Sequence, residues 1–218
     1  HNIIAFDRPH LAAAMPALGV LKLQVIDTLR LNPLAFPRNP YHHLVKHYQD
    51  GQLRRGRLND PELDARLTLE VFADQSRALA ALAERDPELA VAWHWLTTVD
   101  GDGIGLDRFF AEVRGVPGPR KGEAKAAITR CLDGRSCSGR AREAIGDAAR
   151  SPWPLAYALA WLSVSGGNSV MPPWVRHQFP ESGLLVRRLR DTPCGESDCP
   201  WCRTRHDARH ELEHSFGF

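Results

Sequence analysis

Three cysteines late in the chain stand close enough in sequence to bind one metal ion. Cys194, Cys199 and Cys202 fall within nine residues. Gly195 and Pro200 lie between them, and both residue types favour the turns that wrap a chain around an ion. Five cysteines is an odd number, and no secretory signal precedes them, so a disulfide framework explains them less well than a metal site. The spacing therefore predicts a metal centre.

The fourth ligand distinguishes two kinds of centre. His206 follows the cluster closely and would complete a closed, tetrahedral Cys3His zinc site. The remote Cys131 or Cys137 would instead supply a fourth thiolate, an arrangement typical of iron–sulfur clusters. We expect zinc, with an iron–sulfur cluster as the alternative.

Two acidic residues in the first third of the sequence suggest a second kind of metal chemistry. Asp7 ends the apolar stretch that starts at Ile3, and Asp64 lies in the first turn of a helix that Pro61 should open. Hydrolysis of a phosphodiester by two Mg²⁺ or Mn²⁺ ions needs several carboxylates that converge from distant segments. The simpler interpretation is that Asp7 caps a helix and Asp64 complements a helix dipole.

The pattern Asn2-x-x-x-Phe6-Asp7-x-Pro9 resembles the second motif of the DEDD 3′-5′ exonucleases. Val25-Ile26-Asp27-Thr28-Leu29 resembles the strand that follows this motif in the family. The resemblance implies an incomplete RNase H-like α/β fold over residues 1–84. It also implies a metal-ligand role for Asp7 and a place for Asn2 beside the nucleic-acid strand.

The segment Asn59-Asp-Pro-Glu-Leu-Asp64-Ala65 resembles the third motif of the same family, whose aspartate binds metal. Asp64 would then be the second catalytic carboxylate. Asn59 and Asp60 stand where family members carry a histidine or tyrosine general base, and the first motif, Asp-x-Glu, is absent from these residues. We therefore expect the chain alone to show no nuclease activity.

A second resemblance involves the cysteine-rich end. Trp201-Cys-Arg-Thr-Arg-His-Asp207 and the upstream Gly167–Val175 resemble a connector that joins an exonuclease domain to a RecQ-type ATP-dependent DNA helicase. Phe216-Gly-Phe218 resembles the opening of the helicase's nucleotide-recognition motif. The chain would thus be a fragment of a DNA repair enzyme. ATP would bind only in the absent helicase domain, because no Gly-Lys-Ser/Thr phosphate loop occurs here.

DNA binding would depend on local charge, because the net charge is only +2. Arg187, Arg188 and Arg190 precede the cysteines and form the best candidate patch for contacting phosphates. The expected partner is DNA, single-stranded or with 3′ ends. The alternative is that these arginines form a solvated helix face.

The secondary structure that must position these residues is predicted from hydrophobic periodicity and from helix-breaking residues. Asp60-Pro61-Glu62 predicts a helix start, and the helix should run to about Glu84. We expect an α/β exonuclease-like part over 1–84, a helical linker over 85–190, a cysteine-rich connector over 191–214 and the start of a helicase domain at 215–218. No apolar run reaches the length of a membrane span, so we expect a cytoplasmic protein.

These observations leave three hypotheses open. The first is a fragment of an exonuclease–helicase enzyme. The second is a non-enzymatic module that binds DNA or acts as a scaffold, with a degenerate nuclease fold and a structural metal site. The third is a helical interaction domain with incidental cysteines.

Overall fold

The computed structural model describes residues 1–39, 48–49, 52–53, 61–101, 105–164 and 171–205. In these ranges ten α-helices make up almost all of the regular structure. The first eight are α1 (Arg8–Ala14), α2 (Thr28–Ala35), α3 (Pro61–Arg85), α4 (Pro87–Leu96), α5 (Leu106–Arg114), α6 (Lys121–Leu132), α7 (Ser138–Gly146) and α8 (Pro152–Ser163). The last two are α9 (Pro173–Gln178) and α10 (Glu181–Asp191), and a further helical segment covers residues 200–205.

The predicted α/β fold is wrong for the described residues. Their only strands are β1 (Tyr48–Gln49) and β2 (Gln52–Leu53), which pair antiparallel as a minimal hairpin. The candidate strand that ends on Asp7 is a π-helical turn over Ile3–Asp7, and helix α2 begins at Thr28 inside the second candidate strand. An RNase H-like sheet is therefore not present in these ranges.

The reason lies in how residues 1–4 satisfy their backbone hydrogen bonds. The buried carboxylate of Asp27 accepts hydrogen bonds from the backbone N–H groups of Asn2 (2.9 Å) and Ile4 (3.2 Å). It also accepts one from Leu29, at 2.9 Å, and so caps α2. Donors that a sheet would pair with a neighbouring strand are thus bound to one side chain, and no strand forms at this place.

The helical prediction from residue 61 onward is confirmed. Helix α3 starts at Pro61 and ends at Arg85, one residue beyond the expected Glu84. Asp60, the first residue of the predicted helix start, lies outside the described residues. Gly115 and Gly134 adopt positive φ values of 69° and 63°, at the loops that end α5 and follow α6.

Two apolar helices form the centre of the core. Helix α8 is buried along most of its length, and α4 packs against α3, α5, α6 and α8. The buried indole of Trp93 on α4 donates a hydrogen bond to the carbonyl of Ala156 on α8 at 3.1 Å. The hydroxyl of Tyr157 donates to the carbonyl of Arg30 at 3.2 Å, which ties α8 to α2. One core thus contains side chains from both sides of the domain boundary predicted at residue 84.

None of the helices in the described ranges combines the length and apolar content needed to cross a bilayer.

Candidate metal centre

Four cysteine sulfurs form a compact cluster at one end of the helical body. The Sγ atoms of Cys137, Cys194, Cys199 and Cys202 all lie within 4.8 Å of one another. The Cys202–Cys137 separation is 3.4 Å, Cys194–Cys202 is 3.8 Å and Cys137–Cys199 is 3.9 Å. All four are free thiols, because a disulfide would bring two sulfurs to about 2 Å. The arrangement can hold a metal ion.

The cluster joins two distant parts of the chain. Cys137 lies in the turn before α7, and the other three follow α10. The backbone N–H of Cys137 donates to the carbonyl of Leu189 on α10 at 2.8 Å, so the turn is also fixed to that helix. An ion bound by these sulfurs would act as a crosslink between segments about 60 residues apart in sequence.

Local turns present the three late cysteines. Gly195 has a positive φ of 81°, which reverses the chain just after Cys194. The N–H of Cys199 donates to the carbonyl of Glu196, and a helical segment begins at Pro200, a residue type suited to a first helical position. Cys199 and Cys202 therefore lie one helical turn apart and face the same side.

Helix α7 approaches the cluster with its N-terminus. Gly139, in the first turn, has no room for a side chain, because a Cβ atom there would lie 2.5 Å from Cβ of Cys194. Backbone N–H groups at this end hydrogen-bond to sulfur: that of Arg140 to Cys137, and that of Ser138 to Cys199. Such donors and the positive end of a helix dipole favour thiolates.

Thiol acidity differs sharply within the cluster. Hydrogen bonds from the Ser138 hydroxyl and from the backbone N–H of Cys202 lower the pKa of Cys199 to about 6. Burial raises the pKa of Cys202 to about 12 and also raises that of Cys137. Several buried sulfurs in contact cannot all carry charge without a cation, whereas a bound metal ion would make every one of them a thiolate.

Two arginine side chains lie close to the cysteine cluster. Arg140 donates to the carbonyl of Pro193 at 2.7 Å and pairs with Glu143 at 2.8 Å. Arg142 pairs with Glu196, which lies between Cys194 and Cys199 in the sequence. Both ion pairs are neutral, so they fix the loop around the cluster without adding net charge to it.

Trp201 packs against the cluster and ties it to the helical body. Its indole N–H donates to the carbonyl of Arg190 at 3.0 Å. The guanidinium of Arg190 lies 5.3 Å from the ring centre of Trp161 on α8 and 6.0 Å from that of Trp201. Arg205 also lies over Trp201, at 5.7 Å, and pairs with Asp191 at 2.5 Å.

The structure brings together the three clustered cysteines that the sequence predicted as ligands. The fourth thiolate is Cys137, whereas Cys131 is not part of the cluster: it is buried in the main hydrophobic core on α6, where burial raises its pKa to about 12. His206, predicted to complete a Cys3His site, lies outside the described residues.

The predicted catalytic acids occupy ordinary helix starts. Asp7 is the residue before α1 and makes no capping hydrogen bond with its side chain. Asp64 lies in the first turn of α3, where its carbonyl accepts a hydrogen bond from the Thr68 hydroxyl at 2.7 Å. Within the described ranges, the four cysteines are the only group of three or more metal-ligating side chains. No group of three or more carboxylates that could hold Mg²⁺ or Mn²⁺ is therefore present there.

Three of the four residues predicted to contact nucleic acid are engaged within the protein. Asn2 has a left-handed backbone with φ of 62°, and its N–H is bound to Asp27. Arg188 pairs with Glu143 at 2.7 Å, and Arg190 stacks between the two indoles. Arg187 is exposed on α10 and has no ion pair among the described residues.

Sequence reasoning missed Ser138 and Gly139, which complete the surroundings of the cluster. A signal for choosing Cys137 over Cys131 was present. Cys131 continues the apolar face of α6 that Ala124 and Ile128 begin, a spacing typical of a core position. Cys137 follows the turn at Gly134 and lies outside that periodicity.

No family model, no curated protein and no solved structure matches this chain.

Proposed function

We propose that this chain is a non-catalytic helical module in which a structural zinc ion fixes the cysteine-rich segment to the body. The observation that carries the proposal is the group of four cysteine sulfurs within 4.8 Å of one another. In a tetrahedral site with Zn–S bonds of about 2.3 Å, sulfurs lie about 3.8 Å apart. The separations of 3.4, 3.8 and 3.9 Å are close to this value.

The same spacing favours one ion over an iron–sulfur cluster. A [4Fe–4S] cluster places a separate iron atom behind each thiolate, so its four cysteine sulfurs must stand farther apart than ligands of a single ion. The sulfurs of Cys137 and Cys202 already touch at 3.4 Å and leave no space for such a core. Tetrahedral S4 coordination of a single ion is typical of zinc.

The ligand set also favours a structural role over a catalytic one. Catalytic zinc keeps one position open for water or substrate, whereas structural sites are closed by four protein ligands. Here four thiolates are available, and Cys137, Cys199 and Cys202 are buried. With four thiolates bound to the ion, a water molecule would have no open coordination position.

Elemental analysis of the purified full chain tests this proposal. We expect about one zinc per chain, no visible colour, and, after replacement by Co²⁺, the absorption of a tetrahedral tetrathiolate site. Cys199→Ser should lose the metal, and Cys131→Ser, the matched control outside the cluster, should retain it. A red or brown protein that contains iron would contradict the zinc assignment. A folded parent protein that binds neither zinc nor Co²⁺ would also contradict it.

A second candidate function is binding of single-stranded DNA beside the zinc centre. Its support is the resemblance of Trp201–Asp207 to a helicase connector, together with two exposed arginines, Arg187 and Arg203, that form no ion pair among the described residues. On this proposal the module belongs to a DNA-processing protein and contributes phosphate contacts, with no hydrolysis of its own.

Fluorescence anisotropy with a labelled single-stranded oligonucleotide tests the second candidate. Affinity should fall steeply with salt, and the double variant Arg187→Ala/Arg203→Ala should reduce the salt slope by about two phosphate contacts. Arg176→Ala, which removes an exposed arginine on α9, is the control. Equal binding by the parent and the double variant at low salt would show that Arg187 and Arg203 do not contact DNA.

A further inference from the structure

The first turn of α7 contains more than one group that acts on the metal cluster. Cys137 precedes the helix and is itself one of the four thiols. Ser138 and Gly139 come next, and both contact cysteines of the other segment. Four consecutive residues thus serve the cluster in different ways. Cys137 supplies a sulfur and Ser138 a hydroxyl group. Gly139 leaves room for Cys194, and Arg140 supplies a backbone N–H donor.

Ser138 makes the most specific of these contacts. Its hydroxyl shares a hydrogen bond with the Sγ atom of Cys199 at 3.5 Å, and its backbone N–H also hydrogen-bonds to this sulfur. A thiolate bound to a metal has no proton, so it can only accept in these hydrogen bonds. Both donors therefore remain favourable when the ion is present.

The position of Ser138 also connects two ligands. Since it directly follows Cys137 in the chain, its contact with Cys199 holds sulfurs from the two segments at a fixed separation. Donors to metal-bound ligands fix their orientation and stabilise their charge, and loss of one typically weakens metal binding 10- to 100-fold. The hydroxyl thus has a role that a side chain used only for packing would not have.

We propose that Ser138 is a positioning residue of the metal centre, which orients Cys199 for binding through its hydroxyl group. This inference rests on the proposed zinc site. Ser136 offers a matched comparison in the same turn: its buried hydroxyl donates to the carbonyl of Leu132 at 3.1 Å and makes no contact with sulfur.

Zinc affinity of the full chain, measured by competition with a chelating dye, tests the proposal. Ser138→Ala should bind zinc about 10- to 100-fold more weakly. Ser138→Thr, which keeps the hydroxyl, should bind within about threefold of the parent. Ser136→Ala should bind as the parent does, although it loses a buried hydrogen bond. If Ser138→Ala does not fold, Ser138→Thr decides, since parent-like affinity supports the role and a tenfold loss overturns it.

Unfolding with and without zinc separates positioning from general stability. If Ser138 acts on the metal centre, Ser138→Ala should lower the free energy of unfolding more in buffered zinc than in the presence of a chelator. An equal loss under both conditions would overturn the role. A parent that binds one zinc together with an unaffected Ser138→Ala would refute this inference alone, whereas a parent that binds no zinc would refute the proposed function itself.

Discussion

Residues 1–27 and residues 192–205 both attach to the same helical body, but different forces hold them. In the first segment the buried carboxylate of Asp27 binds the N–H groups of Asn2 and Ile4, while Phe6 and Leu18 are 59% and 62% exposed. The second packs three cysteines against Cys137, with Trp201 beside them. Both segments carried a recognisable sequence pattern, but only in the second did the predicted side chains come together, as a cluster that could hold a metal ion.

The difference shows which kind of pattern predicts structure. Cysteines close in sequence need only a turn between them to converge, so their chemistry is largely local. A strand needs a partner strand, and its backbone N–H groups bind a different acceptor when one lies nearer. At Asn2 and Ile4 that acceptor is the carboxylate of Asp27.

The largest expected effect follows removal of the metal from the second segment. At free zinc buffered to about 1000 times the dissociation constant, bound zinc should stabilise the folded chain by about 4 kcal/mol. Adding a strong chelator should remove this contribution and expose Trp201, because the segment loses its crosslink. Urea unfolding followed by tryptophan fluorescence measures both changes.

The matched control for this prediction is Cys199→Ala, unfolded with and without chelator. Its stability should no longer respond to zinc, whereas that of Cys131→Ala, altered in the core, should respond as the parent does. A parent whose unfolding midpoint is the same with and without chelator would show that residues 192–205 are held without metal.

A smaller effect is expected where the first segment is anchored. Asp27→Ala removes the acceptor for Asn2, Ile4 and Leu29, and should lower the free energy of unfolding by about 2 kcal/mol. Hydrogen exchange should show that the amides of Asn2 and Ile4 lose protection while the α4 and α8 amides keep theirs.

Asp7 is the control, because it also precedes a helix but its side chain caps nothing. Asp7→Ala should change stability by no more than about 0.5 kcal/mol. If Asp7→Ala were as destabilising as Asp27→Ala, the loss of stability could not be explained by the three hydrogen bonds that Asp27 accepts.

The sequence predicted elements well where the signals were local. Pro61 and Glu62 marked the start of α3, and spacing identified three of the four cysteines that converge in the cluster. The contact of Ser138 with Cys199 spans 61 residues, and the bond from Asn2 to Asp27 spans 25, so neither has a local signature. Likewise, which remote cysteine reaches the cluster depends on how α6 packs, and that is decided by the whole core.

A still smaller effect is expected where the guanidinium of Arg190 lies near the rings of Trp161 and Trp201. Arg190→Met removes the cation between Trp161 and Trp201 and should destabilise the protein by about 1 kcal/mol. On the same helix, Arg187→Met removes an exposed charge and should have an effect below about 0.5 kcal/mol. Thermal unfolding of the zinc-loaded variants measures the difference, and equal effects would rule out a stabilising stack.

A buried histidine in the helical body gives a pH effect on stability that does not depend on residues 1–27 or 192–205. His94 on α4 is fully buried; its Nε2 lies 2.8 Å from a carboxylate oxygen of Asp107, and its Nδ1 lies 2.9 Å from the guanidinium of Arg114. Arginine only donates, so Nδ1 accepts and Nε2–H donates to Asp107. This pattern requires the neutral ring, and burial lowers its pKa below the usual 6.5.

The last expected effect is a loss of stability in mild acid that involves neither end segment. As pH falls below about 6.5, the unfolded chain binds a proton that folded His94 resists, so unfolding becomes easier by at most about 1.4 kcal/mol per pH unit. Cysteine ligands also titrate with pH, so the quantity to measure is the difference between the parent and His94→Gln at one buffered zinc concentration. The parent should lose more stability between pH 7 and pH 5, and His177→Gln, an exposed site on α9, should follow the parent. If His94→Gln showed the same slope as the parent, the acid response would not come from His94.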